Sequence, residues 1–319
     1  MAALRRAGKL LAGYSELAAV LAAAVIGLTV QRPLAWLAAH QGINVLLAVL
    51  VFATAVTIDP AALRRLARTW RQILAAVATG ITVLPALSWA VAHLAPPGPL
   101  RDGVLTAGLA PCEIASVATT ALAGGEAAVA AGVLIGSTLA TVLLAAPILT
   151  LETGHAGFSP GAVIENLALV IALPLAAGIA LRCLVPATRR VLATGPAETA
   201  AARTALVTVA ALVALVAAEV HLSDGYAAVA GALILFLAAS AVIGQLLGVR
   251  SAPGTRAALL LTTSMRDFAV AAALAAAAFG PQAAAPLGLY GIAVLVWGTA
   301  AAGTLRARTE RAAVSRPAG

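Results

Sequence analysis

The chain has 319 residues, is 62% hydrophobic and only 10% charged, and has a mean hydropathy of +1.02. A soluble protein of this size covers itself with about a quarter charged residues, so a water-soluble globular domain is excluded. The net charge of +8 brings nucleic acid to mind as a partner, but membrane topology accounts for it and no nucleic acid is implied.

Apolar runs separated by Gly, Pro and charged breaks predict ten membrane spans, each close to the ~20 residues that cross a bilayer as a helix. They fall near 11–30, 37–58, 72–95, 103–123, 127–150, 160–184, 203–221, 226–248, 255–279 and 283–304. The second is the weakest, because His40, Gln41 and Asn44 dilute its start. Connections are short, and 306–319 is expected to be a basic, disordered cytoplasmic tail.

Lysines and arginines sort these spans by side. Arg5, Arg6 and Lys9, then Arg64, Arg65, Arg68 and Arg71, fall on the same side as Arg182, Arg189, Arg190 and Arg203. Arg250 and Arg256 join them, as do Arg306, Arg308, Arg311 and Arg316. The opposite side has Arg32 and Arg101 alone. The positive-inside rule then predicts a multi-pass plasma-membrane protein with both termini in the cytoplasm. An odd number of spans per half predicts two inverted five-helix repeats, 1–152 and 153–305. Gly124-Gly125-Glu126 and Gly280-Pro281-Gln282 open equivalent spans in the two halves.

Most acids sit at span ends, among them Glu16, Asp59, Glu152, Glu165, Glu219 and Asp224. Glu113 does not, nor does the pair Arg266-Asp267; they fall at the centres of spans 4 and 9. A charge at that depth costs ~2.5–3.5 kcal/mol on the insertion scale and marks a functional site by default. Pro111 removes a backbone donor beside Glu113 and predicts a break in span 4. Thr262-Thr263-Ser264-Met265-Arg266-Asp267 is a polar run that predicts a matching break in span 9. Two such discontinuous helices, 4 and 9, are expected to cross at the midplane and bring Glu113, Arg266 and Asp267 together. The bland reading is a buried Glu113–Arg266 pair that only fixes packing. Cys112 reads more readily as a small hydrophobe than as a ligand. Ser137, Thr138 and Thr141 are expected to bond their own helix carbonyls. The two cysteines, Cys112 and Cys183, fit neither a disulfide nor a zinc spacing, and no metal site is expected. The four histidines lie at span ends or in loops, so no enzyme is expected and no cofactor.

The ten-span plan, with Ala115-Ser116 and Leu122-Ala123-Gly124-Gly125 in the first interrupted span, resembles the bile acid:sodium symporter superfamily. That resemblance implies a six-span core bearing the crossover, a four-span panel of spans 1, 2, 6 and 7, and substrate bound between them. It departs at the sodium site. Ser116-Val117 stands where the family has Ser-Asn, Ala130 and Leu134 stand at its span-5 hydroxyl positions, and Thr262 replaces a Glu. Arg266 stands where a sodium-site Gln would be. Gly108-Leu109-Ala110-x-Cys112 and Arg266-Asp267-Phe268 also resemble the arsenite-efflux branch of the superfamily.

The expectation is an ion-coupled secondary transporter of a small anionic organic solute working by alternating access. Coupling is to Na⁺ or H⁺, and the protein is a monomer or homodimer in the bilayer. The alternative is an arsenite or antimonite efflux permease. Cys112, Glu113, Ser116, Thr262, Thr263, Ser264, Arg266 and Asp267 are the expected substrate- or ion-binding residues, with Arg266 as the fixed positive charge for an anion.

Overall fold

A computed structural model describes residues 18–19, 21–57, 69–154, 159–185, 195–218 and 225–314. The start of the first span and Arg5, Arg6, Lys9, Glu16, Asp59, Arg64, Arg65, Arg68, Arg189, Arg190, Glu219, Asp224 and Arg316 lie outside the described residues.

The described residues form helices joined by short turns. In chain order these are α1 (Leu21–Thr29), α2 (Gln31–Ala39), α3 (Gly42–Thr57), α4 (Trp70–Ala92), α5 (Pro99–Leu109), α6 (Ala115–Leu122) and α7 (Ala127–Thr153). They continue as α8 (Pro160–Leu184), α9 (Gly195–Ala218), α10 (Tyr226–Leu247), α11 (Pro253–Ser264), α12 (Phe268–Phe279) and α13 (Ala285–Val314). Among the described residues, five helices are long and apolar enough to cross a membrane, or six if α1 and α2, bent by 98°, count as one span.

The distribution of side chains is that of a membrane protein. Leu143, Val207 and Leu246 are about two-thirds exposed, while Glu113, Arg266 and Asp267 are 2% exposed or less. Apolar groups outside and charges inside suit a lipid surround and would be ruinous in water.

Several expected boundaries move. The polar residues of the second span, His40 and Gln41, form a turn between α2 and α3, so the helix there starts only at Gly42. Gln41 holds a positive φ of 67° at that turn. The tail expected to be disordered is helical as far as Val314, because α13 runs on through Arg306 and Arg308 without a Gly or Pro to stop it.

Two groups of helices emerge from the packing. α3 lies against α8 and α9, and α2 against α9. α4, α5, α7, α10, α11, α12 and α13 pack chiefly on one another, with α6 seated on α7, α11 and α13. Small residues permit close approach: a Cβ on Gly178 of α8 would sit 2.6 Å from Ala55 Cβ of α3. Arg182 donates to the Val56 carbonyl at 2.8 Å, tying the C-terminal ends of α8 and α3 together. Within α8, a π-turn at Ala168–Ala172 precedes Pro174. Pro174 cannot donate to the turn before it, and the wider turn absorbs the lost bond.

Candidate functional site

The site is built by two interruptions. α5 starts with Pro99 at its first turn and α11 with Pro253. From Pro99 to Cys112 and from Pro253 to Arg266 is the same thirteen residues, and Cys112 and Arg266 are the two residues of an isolated antiparallel β-bridge.

The first break follows from proline chemistry. Pro111 has no N–H and forces its predecessor out of the helical region, and Ala110 is extended at φ −64°, ψ 152°. The second break has no proline. Met265 and Asp267 are extended at ψ 104° and ψ 102°, and the Asp267 Oδ1 accepts from the N–H groups of Ala269 and Val270, both at 3.0 Å. An acid at that position is a strong helix start.

Backbone groups freed by the breaks find partners within the protein, as they must at membrane depth. The Glu113 N–H donates to the Met265 carbonyl at 2.8 Å and the Asp267 N–H to the Pro111 carbonyl at 2.9 Å. Cys112 N–H donates to Ser137 Oγ at 3.1 Å, and Thr141 Oγ1 donates to the Leu109 carbonyl at 3.0 Å. Arg266 closes the set by donating through Nη2 to the Ala110 carbonyl and, at 3.5 Å, to the Gly80 carbonyl of α4. Ser137 and Thr141 therefore hold the crossing together. Ser137 also makes the expected bond to its own helix, donating to the Leu134 carbonyl at 3.2 Å, while Thr141 bonds Leu109 of α5 in place of its own helix. Thr138 keeps to the expected pattern, donating to the Leu134 carbonyl.

An extended backbone sends successive side chains to opposite faces, and this splits the expected charge cluster. Arg266 reaches toward α4, and a Cβ on Gly80 would lie 3.2 Å from its Nη1. Cys112 packs on the apolar side chains Ala76, Val133, Leu134 and Leu259. Asp267 instead faces a cavity of about 10 Å³ between the two helix groups, roughly room for one water. Val51 and Thr54 of α3 and Ile171 and Leu175 of α8 form its other wall. Glu113 is close enough to Asp267 to repel it, and its carboxyl faces the N–H groups of Ala115, Phe268 and Ile114. Both half-helix N-termini, α6 and α12, thus point their positive ends at the protein's own acids. Glu113 Oε2, Asp267 Oδ2 and Thr54 Oγ1 are buried without a partner.

One helical turn along α12 from Val270, a second cavity of about 200 Å³ opens between the same two groups. Gln41, Asn44 and Asn166 stand on one wall, and Ala273, Ala276 and Ala277 of α12 on the other. Asn44 Nδ2 donates to Asn166 Oδ1 at 3.1 Å and to Gln41 Oε1.

The other expected residues divide. Thr262 donates to the Ala258 carbonyl and Ser264 to the Leu260 carbonyl, each within its own helix. Ser264 also accepts from Trp297 Nε1 at 2.9 Å. Ser116 Oγ lies 3.9 Å from the Cys112 thiol, and Thr263 Oγ1 is buried without a partner. Glu113 with Arg266 as a simple buried ion pair is not what forms: the guanidinium bonds carbonyls through Nη2, and its Nε is buried without a partner.

The family model of the sodium bile acid symporter family matches residues 44–229. The chain belongs to this family. It is a multi-pass membrane protein of a transporter family, and no curated protein matches it. The match ends before α11, so it takes in the first interrupted helix and not the second. The family's description names sodium, and the residues present bear on whether this chain can hold it. Ala130 packs with Val129, Ala258 and Val117, and Leu134 packs around Cys112, so the positions of those ligands are filled with hydrocarbon. A hard cation wants several oxygens at once, and the family's sodium site does not fit this chain.

Proposed function

We propose that the protein is an ion-coupled secondary transporter that moves a small organic anion with an apolar body by alternating access. In this reading the ten spans form inverted repeats 1–152 and 153–305, with discontinuous spans 4 and 9 crossing at the bilayer midplane. The protein sits in the plasma membrane with both termini in the cytoplasm.

The observation that carries the reading is the unwound crossing itself. Non-helical backbone bearing three buried charges lies against an apolar cleft between two separately packed helix groups. Such backbone is tolerated at that depth only where it is buried in protein or lines a cavity, and a cleft between helix groups is where rocking motion gives access. The cleft walls suit an apolar body. The crossing supplies charge: Arg266 is fixed behind it, so it acts on an anion through its field rather than by contact. Two carboxylates against one guanidinium leave one net negative charge, which calls for a bound monovalent cation, H⁺ or Na⁺, before an anion is admitted. Arsenite efflux has less behind it, because the Cys112 thiol is 0% exposed and turned away from the cleft.

Uptake of labelled cholate and of short aliphatic and aromatic carboxylates into proteoliposomes tests the reading. At least one should accumulate above equilibrium when an inward H⁺ or Na⁺ gradient is imposed, and only then. Arsenite moved in place of every carboxylate, or equilibration without accumulation, would overturn it.

A further inference from the structure

We propose that the coupling ion is a proton, and that Glu113 and Asp267 carry it as a pair. The inference rests on the transporter reading above and names the ion left open there.

Three features converge on these two side chains. Both are buried, at 1% and 0% exposure, and each keeps one carboxyl oxygen without a partner. Like charges this close in a dry site are costly together, and a shared proton removes the conflict. Their hydrogen bonds come from N–H groups at the starts of α6 and α12, which donate to one carboxyl oxygen and leave the other free, an arrangement that suits a carboxylate or a protonated acid. Asp267 also borders the small cavity across which Thr54, on the opposite helix group, presents an unpartnered hydroxyl. The proton comes from water on the open side, one carboxylate becomes an acid, and no other bond changes.

Sodium is the competing occupant, and the donor count decides against it. The cavity that Asp267 borders is lined by oxygen-bearing side chains from Asp267, Thr54 and Thr138, the other lining residues being apolar. The free carboxyl oxygens of Glu113 and Asp267 and the two threonine hydroxyls are fewer than the five or six oxygens a sodium-sized ion takes, by analogy with other hard cations. A proton needs two. The ionisable groups within electrostatic reach of the pair are Arg266 and Cys112 of the bridge, whose side chains leave it on other faces, and Tyr290 of α13. The walls from α3, α7 and α8 present Val51, Thr54, Leu134, Thr138, Ile171 and Leu175 and no ionisable group. With both acids ionised the crossing is net negative. One proton makes it neutral, and the charge of Arg266 is then free to favour an anion in the cleft.

The test reads the carboxyls directly, on purified full-length protein in Na⁺-free detergent buffer with choline chloride. Infrared difference spectra across a pH titration should show a carboxylic-acid carbonyl band that grows toward acid pH. Replacing choline by Na⁺ at constant ionic strength should leave it unchanged. Glu113→Gln and Asp267→Asn should each move the band toward more acid pH, because the like charge that favours the proton is gone, and the double variant should lack it; Asn keeps the acceptor that caps α12. The other acids of the chain titrate too, so the band assigned to the pair is the one present in the wild type and missing from the double variant. No such difference overturns the pair, as does a wild-type band that Na⁺ suppresses, which needs no variant. No solute is present, so the transporter reading fails separately: carboxylates that never accumulate sink that reading while the band stands, and uptake driven by Na⁺ alone sinks the proton pair and keeps the transporter.

Discussion

The two interrupted helices reach the same geometry by different chemistry. α5 is stopped by a proline: Pro111 withdraws a donor and pushes Ala110 into the extended region. α11 meets no proline, and its successor α12 is instead started by a side chain, Asp267, which caps it through two N–H bonds. α6 has no side-chain cap of its own at Ile114; its first N–H groups face the Glu113 carboxyl. One half therefore breaks the helix through its backbone and the other through an acid. The bridge between Cys112 and Arg266 needs both, and Arg266 spans the two halves because its guanidinium closes on Ala110. Removing a group from one half should thus be felt according to how many partners in the other half it serves.

Arg266 serves the most. Arg266→Ala frees the Ala110 and Gly80 carbonyls and leaves two buried acids with no neighbouring cation. Loss of one member of a buried charge set typically costs about 3–5 kcal/mol, and denaturant titration in detergent should show a loss of that order. The deficit should shrink as pH falls, because protonating Glu113 and Asp267 removes the uncompensated negative charge. A deficit equal at acid and neutral pH would mean that the guanidinium acts as a hydrogen-bond clamp alone.

Both breaks and all three buried charges were legible in the sequence, since proline, acid and arginine inside apolar runs are strong local signals. Their directions were not. The expected cluster of Glu113, Arg266 and Asp267 presupposed side chains radiating from bent helices, whereas a fully extended stretch turns Arg266 to α4 and Asp267 to the cleft. Partners from distant helices were equally hidden. Gly80, Ser137 and Thr141 sit in ordinary helical sequence, and only tertiary packing aims them at the crossing. The bend between α1 and α2 occurs at Val30, ahead of Pro33, with no glycine at the turn to announce it. The sequence shows substitution at the positions that resemble the family's sodium site, and the packing of Ala130 and Leu134 shows what it does physically: hydrocarbon stands there.

Gly80 offers a sharper probe of the second half, because two effects of one methyl group oppose each other there. Gly80→Ala gains about 0.8–1 kcal/mol of helix propensity in α4. Against this, the new Cβ would stand 3.2 Å from Arg266 Nη1, a guanidinium already held by two carbonyls. Overpacking of this kind typically costs about 1–3 kcal/mol, so a net loss of about 1 kcal/mol is expected in the same denaturant titration. A gain would show that Arg266 yields freely and that the second half is not clamped to the first.

Pro111 should matter least, although it is the most conspicuous break signal in the chain. Its carbonyl, not its missing N–H, takes part in the bridge, accepting from Asp267 N–H at 2.9 Å. Alanine at 111 keeps that carbonyl, and the partners of Ala110, Cys112 and Glu113 on Arg266, Ser137 and Met265 still hold the segment extended. What Pro111→Ala loses is the restriction of the unfolded chain, about 0.4–1 kcal/mol. The infrared carboxyl band should be unaltered. A loss several-fold larger, or a shifted band, would mean that α5 and α6 fuse once the proline is gone, and that the acid in the second half cannot keep the first half open.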